Sequence, residues 1–298
     1  LPEPGEGDEG EEDHDHEEEE VQGVLENSST ETDSFAAGAS WTGAWGYAGL
    51  SITQYDTNYG IPGHAHEEEH EDEDHEEEEH EEGGVRIDLE QTRYDGKFEV
   101  LDPLAGFSRL RGAMVVSDYE HAEIEASGET GTVFTNEGSE LRLEATHSPL
   151  GAMTGVIGVQ WVNSEFAAIG EEAFVPPVDT ESLGLFWVEE LALGGLRLEA
   201  GLRAETTEHD PSSTAASQDF TTTSLSIGAN YAMGESQNIA ISLARSERAP
   251  GSQELYSYGP HLASTTFEVG NTDLDKEVAN TLDLGWHYHG GRLDAELT

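Results

Sequence analysis

The sequence predicts an all-β chain: an antiparallel transmembrane β-barrel segment of about 12 strands with long extracellular loops. Three observations carry this. Apolar residues alternate with polar ones over eight or more positions, the period of a half-buried strand. The alternating runs are long; about 9–11 residues cross a bilayer as a tilted strand, against about 5–6 in a typical globular strand. Tight turns alternate with long polar connections, as they do along membrane barrels.

Taken in order, the first strands are 35–42 and 46–56, joined by "GAWG" at Gly43–Gly46. A long polar stretch, 57–84, precedes strand 85–93, where "VRIDLEQTR" sets Val85, Ile87 and Leu89 against Arg86, Asp88 and Glu90. "DPLAGF" at Asp102–Phe107 turns the chain into strand 108–120. The polar stretch 122–139 leads to strand 140–148, and Ser148–Ala152 turns it into 154–166. After 167–181 come strands 183–193 and 196–207, joined at Gly194–Gly195. In the second, Leu196, Leu198, Ala200, Leu202 and Ala204 oppose Arg197, Glu199, Gly201, Arg203 and Glu205. Beyond the polar stretch 208–220 lie strands 221–233 and 238–248, with their turn at Met233–Gln237. The stretch 249–279 precedes the last strands, 280–289 and 291–298, which turn at Gly290–Gly291. There Leu282, Leu284, Trp286 and Tyr288 oppose Asp283, Gly285, His287 and His289. Uniformly apolar faces read as a lipid-facing wall, and faces with charges of both signs as a wet or plugged lumen. Trp286 and Tyr288 fit an interfacial aromatic girdle.

Charge narrows the function. Lys+Arg number 12 against Asp+Glu 64, a formal net charge of −52. A phosphate backbone needs a basic footprint, so nucleic acid is excluded as a partner; cations are favoured. There is no cysteine, hence no thiolate site or disulfide. No run of 18 apolar residues exists to make a membrane helix. No P-loop, Gly-x-Ser-x-Gly or dinucleotide turn is present, the one His-Glu-x-x-His match falls inside an acidic low-complexity run, and no enzyme or catalytic cofactor is expected. "HEEEH" (66–70) shares the His spacing of a metalloprotease helix but lacks an apolar face.

Histidine and acid are concentrated together. The block 64–82 holds His64, His66, His70, His75 and His80 among acids, and the block 3–20 holds His14 and His16. Imidazole and carboxylate together suit a divalent transition metal, zinc, copper or nickel, better than calcium or magnesium. Like charge of this density repels itself, so both blocks read as loops that gather ligands around an ion rather than as preformed cages. They are expected to emerge on one side of the wall, His64 and His66 passing metal inward and His70, His75 and His80 acting as an antenna. His121, His147 and His209 are expected to be structural, and Arg245 and Arg248 to be lumenal or loop-base ion-pair partners.

Residues 241–288, "ISLARSERAPGSQELYSYGPHLASTTFEVGNTDLDKEVANTLDLGWHY", closely resemble the barrel of TonB-dependent outer-membrane receptors, through Arg245–Pro250, Glu254–Tyr256, Gly270–Leu274 and Glu277. Residues 92–112 and 136–161 look like barrel strands of the same family. The resemblance runs from about residue 35 to the C-terminus. It implies a barrel of about 22 strands, of which about half is present, and an N-terminal plug contacting the TonB energy-coupling complex, which is not visible. The chain therefore reads as an internal fragment: an acidic extracellular loop at 1–34, then a partial barrel at 35–298 that includes loop 57–84. His261 resembles a position found across the wider family and is read as structural.

One subgroup is closer. "DTNYGIPGHAHEEE" (56–69) resembles the zinc-importing receptors, matching at Tyr59, Gly60, Ile61, Pro62, Gly63 and His64. The resemblance implies an outer-membrane protein of a Gram-negative bacterium, embedded in the lipid bilayer, with a divalent metal ion as transported ligand, zinc above others. The alternatives are a receptor for copper, nickel, a siderophore or another metal chelate, and a non-transporting surface metal buffer or adhesin.

Overall fold

The computed structural model describes residues 25, 27–62, 84–170, 173–261 and 266–298. The strands are β1 (Thr30–Gly43), β2 (Gly46–Gly60), β3 (Arg86–Leu104), β4 (Phe107–Ile124), β5 (Thr130–His147), β6 (Met153–Gly170) and β7 (Val178–Leu193). There follow β8 (Leu196–Pro211), β9 (Gln218–Ala232), β10 (Gln237–Arg248), a short helix α1 (Ser252–Tyr256), the hairpin strands β11 (Tyr258–His261) and β12 (Thr266–Val269), then β13 (Glu277–Gly290) and β14 (Leu293–Leu297). Twelve strands form one antiparallel sheet in the order β1 to β10, β13, β14, and β11–β12 form a separate two-stranded sheet. The twelve expected strands are thus the sheet. Its tight turns fall at the expected positions; at two of them Gly194 and Gly291 each take φ of 60°, a left-handed conformation glycine adopts without strain.

The strands are longer than the alternation indicated. β3 has 19 residues, about 60 Å at ~3.3 Å per residue, roughly twice the ~30 Å hydrocarbon core. In β3 the extra residues run towards the short turn, whereas in β1, β2 and β4 to β9 they lie mainly on the long-loop side. The stretch 122–139, read as a loop, is mostly strand, because β5 begins at Thr130.

Along the lower part of the sheet one face is apolar and exposed, with Leu50, Tyr94, Met114, Leu185, Leu225 and Ile241 among its side chains. The opposite face carries paired charges: Arg93–Asp95 at 3.0 Å, Arg111–Glu99 at 2.7 Å, Arg142–Glu144 at 2.8 Å, and Arg203–Glu205. The Arg142 guanidinium also stands 4.2 Å over the Phe186 ring. This is the lipid-outside, charge-inside pattern that the alternation implied.

Towards the long-loop rim the pattern reverses. On β3 the outward side chains become Asp88 and Glu90, both exposed, while Ile87, expected with the apolar wall, is buried on the inner face. Strand register aligns exposed outward carboxylates in rows. One runs Asp33, Asp56, Glu90, Glu120 and another Asp118, Glu137, Glu165, Asp179, Asp210. Inside the rim, Phe134 of β5, Ala168 of β6 and Val178 of β7 pack with Phe174 and Val175 of the β6–β7 connection and Leu255 and Tyr256 of α1. The core of the molecule is therefore at the rim, where the β10–β13 connection folds back over the inner wall.

Candidate metal centre

The predicted ligands His64, His66, His70, His75, His80, His14 and His16 all lie outside the described residues. The stems of their loops are described, and they converge. Thr30 pairs with Tyr59. The Asn27 side-chain amide donates to the carbonyl oxygens of Ile61 and Val85, each at 2.8 Å. Arg86 donates in turn to Asn27 Oδ1 at 3.2 Å and Ser29 Oγ at 3.1 Å. One asparagine thus ties the end of the N-terminal acidic segment to both ends of the His-rich loop.

One strand away, side chains of metal-ligand chemistry face inward. Ile87 pairs with Glu123 across β3–β4. Glu123 is 2% exposed, and its Oε1 lies 3.6 Å from His261 Nε2. The other ring nitrogen of His261 is 2.8 Å from Glu268 Oε1. His121, two residues before Glu123, shares a hydrogen bond of 2.9 Å with the Tyr119 hydroxyl through Nδ1. Each imidazole is backed by a phenyl ring: His121 stacks on Phe134 at 4.6 Å and His261 on Phe174 at 4.5 Å. A cavity of about 310 Å³ lies beside them, lined also by Asn136 and Gln253.

Two ligands on a tetrahedral ion with ~2.0–2.1 Å bonds stand about 3.3 Å apart. The 3.6 Å between His261 Nε2 and Glu123 Oε1 is close to that spacing. Among the described residues no three His, Asp or Glu side chains converge as a closed cage. The pair therefore supplies at most two ligands; His261 borders the cavity, while Glu123 is buried behind it.

The chain matches the family model described as TonB dependent receptor-like, beta-barrel, over residues 23–298. It belongs to that family. Solved structures with the same fold include the copper transporter OprC (TM-score 0.71, 15% identity, covering 90% of this chain and 44% of that one). Others are the FrpB iron transporter from Neisseria meningitidis, F5-1 variant (0.70, 12%, 92% and 45%), and the siderophore receptor PirA from Pseudomonas aeruginosa (0.64, 16%, 90% and 45%). At these identities the likeness shows the fold. The chain spans less than half the length of each of these structures.

As a TonB-dependent receptor barrel the protein resides in the outer membrane of a Gram-negative bacterium and crosses it with strands. No helix among the described residues is long and apolar enough to cross a membrane. Two other histidines of this receptor wall have structural surroundings, as expected. His209 is buried, donating from Nε2 to the Pro250 carbonyl at 3.1 Å and meeting Thr180 Oγ1 at 2.9 Å. His147 sits at the short-turn end, 3.1 Å from Glu189. His287 and His289, also near that end, face Glu296 and Asp294. Arg248 is a loop-base partner, paired with Glu254 and Glu277. His121 and His261, read singly as structural, are instead brought to one cavity. Glu123 and Glu268 were missed. Glu123 fell in a stretch read as loop, and only the fold-back of the β10–β13 connection brings it to His261.

Proposed function

We propose that the chain is part of the barrel of a TonB-dependent receptor that imports a divalent transition metal, zinc first. The observation that carries this is His261 set between Glu123 and Glu268 on the inner rim, one strand from the stems of two His- and acid-rich segments. In this reading the acidic segments concentrate cations at the mouth. His64 and His66 hand the ion inward, and Glu123 with His261 receives it. Energy coupling would run through a plug contacting TonB. Zinc is favoured by the likeness of Tyr59–His64 to zinc receptors. The donor set is imidazole and carboxylate, and with three Met and no Cys in the chain, soft ligands for Cu(I) are scarce. The second reading is Cu(II), which binds an open N/O site more tightly by the usual affinity order; the similar fold of a copper transporter keeps it in view.

Uptake of each metal at limiting concentration separates the two, since copper outcompetes zinc for an open N/O site by affinity alone. Zinc is expected to bind a site that Glu123→Gln and His261→Ala remove and to be taken up faster than copper; the reverse order of uptake favours the copper reading. Deletion of 64–82 should slow zinc uptake at limiting metal and leave it unchanged at saturating metal. Unchanged uptake at limiting metal defeats the antenna role.

A further inference from the structure

The last hairpin of the wall, β13–β14, sorts its side chains by face. Trp286, Tyr288, Leu293, Ala295 and Leu297 lie on the outer side. On the inner side the register pairs His287 with Glu296 and His289 with Asp294. Every inward position outside the turn therefore carries a metal-ligand type. Elsewhere on the inner wall a carboxylate is answered by arginine, as in Arg93–Asp95 and Arg142–Glu144. Guanidinium has no lone pair to give an ion, whereas imidazole has one. Imidazole in place of guanidinium turns an ion pair into a set of N and O ligands.

Each imidazole is already partly arranged. His289 Nδ1 pairs with the Asp294 carboxylate, leaving Nε2 to ligate. That is the carboxylate–histidine arrangement that orients ligating imidazoles. His287 Nδ1 is 4.0 Å from Glu296 Oε1. Two ligands of a tetrahedral zinc ion stand about 3.3 Å apart, so a small movement brings this pair to one ion. The His287 ring lies over Gly285, where a Cβ would be 3.7 Å from its Nε2. Opposite His287 across β10–β13 is Asn238, whose Oδ1 is buried and has no hydrogen-bond partner. A buried acceptor of this kind calls for a donor, and the ring N–H of a ligating His287 is one. Among the described residues no three of these side chains already surround one point. Residues two apart on a strand are about 6.6 Å apart at Cα, within the combined reach of two imidazoles. His287 and His289 are well exposed, so turning them disrupts no packing.

We propose that the inner face of the β13–β14 hairpin is a second site for a divalent transition-metal ion, at the opposite, short-turn end of the wall from the rim centre. His287 Nδ1, His289 Nε2 and the Glu296 carboxylate are its ligands. Asp294 orients His289, and Asn238 orients His287. Three protein ligands leave a fourth tetrahedral position for water. The existence of this site does not depend on the import reading; only its use by an imported ion does.

The experiment is carbethoxylation of histidine by diethyl pyrocarbonate, read by mass spectrometry on residues 277–298 of the receptor in outer membranes, with and without zinc. It is run on the wild type and on Glu123→Gln, in which the rim centre is disabled. In both, zinc at about ten times its Kd should slow modification of His287 and His289 together by about tenfold. His287→Gln should abolish the protection of His289, because one ion is shared. Glu296→Gln should weaken protection, and Asp294→Asn should raise the half-saturating zinc concentration by about 10-fold or more. Zinc that protects neither histidine overturns the site. So does protection of His289 that survives His287→Gln and Glu296→Gln unchanged, since the two histidines would then share no ion. These results leave the rim reading standing, because that reading is carried by zinc binding sensitive to Glu123→Gln. Loss of that binding with hairpin protection intact removes the rim reading and leaves this site.

Discussion

Strand β5 passes through two levels of the same wall that are dressed in opposite ways. Near Leu141 the outer face is apolar and exposed and the inner face is charged, with Arg142 and Glu144 in contact. Near Phe134 the inner face is apolar and 5% exposed, while Glu137 on the outer face stands in a row of carboxylates. The period is two throughout; only the side on which apolar residues lie has changed. What changes is the medium. The outer face passes from lipid to water, and the inner face passes from a lumen to the packed fold-back of the β6–β7 and β10–β13 connections. Periodicity therefore reports that a segment is a strand, and the phase reports which face meets which medium.

The largest test of this contrast compares two truncations on β5. Phe134→Ala leaves a cavity under Phe174 and His261, and should cost about 3–5 kcal/mol. Leu141→Ala faces lipid, whose chains refill the space, and should cost far less. Urea unfolding of both variants in lipid vesicles decides it; equal costs would mean that the rim interior is not a packed core. The next test reverses the substitution. Leu185→Arg places a charge on the lipid face and is expected to cost about 2–4 kcal/mol near the bilayer midplane. Glu181→Arg, four residues up the same strand and the same face, should be neutral or stabilising in the same assay.

The same contrast explains what could be read from the sequence. The twelve strands and their tight turns were legible because lipid enforces a uniform apolar face over the lower wall. The strand ends were not. In 122–139 the acids Glu123, Glu125, Glu129 and Glu137 resemble a polar loop, although Glu123 is buried inside and Glu137 is exposed outside. Ile87 follows the alternation and still faces inward, because its outer neighbours Asp88 and Glu90 are above the lipid. Within 249–279, α1 and the β11–β12 hairpin are too short to show a period. For the candidate site, histidine and acid content signalled the metal chemistry of the loops, and Tyr59–His64 located their stem. The meeting of Glu123 with His261 depends on a long-range fold-back that no local spacing encodes.

A smaller effect belongs to the acidic rows. Glu137 lies between Asp118 and Glu165 on neighbouring strands, and like charges directly opposite are destabilising. Glu137→Gln should therefore raise stability at low ionic strength, by about 0.2–1 kcal/mol per relieved pair. The gain should shrink as salt screens the exposed carboxylates. A gain that persists in molar salt would point to a packing effect at Glu137 instead of a charge effect.

The smallest effect is the pH dependence of the fold-back itself. The Glu254 carboxyl is held below the usual glutamate range, first by its hydrogen bonds from Arg248, then by the Gly251 N–H. A carboxyl whose folded value lies below its unfolded value stabilises the fold in full above the unfolded value, 4.5 for glutamate. That contribution is lost as pH falls through the folded value. The pair is well exposed, so the effect is modest. Proteolysis of the 249–279 connection by an acid-active protease should thus accelerate as pH drops below about 4.5. In Glu254→Gln the same protease should cut the connection faster than in the wild type just above pH 4.5, where the wild-type fastening is intact, and the part of the acid dependence due to Glu254 should be absent. If Glu254→Gln keeps the full wild-type dependence, the acid-sensitive fastening is elsewhere, and the candidates are the carboxylates facing His261 on the inner side of the rim.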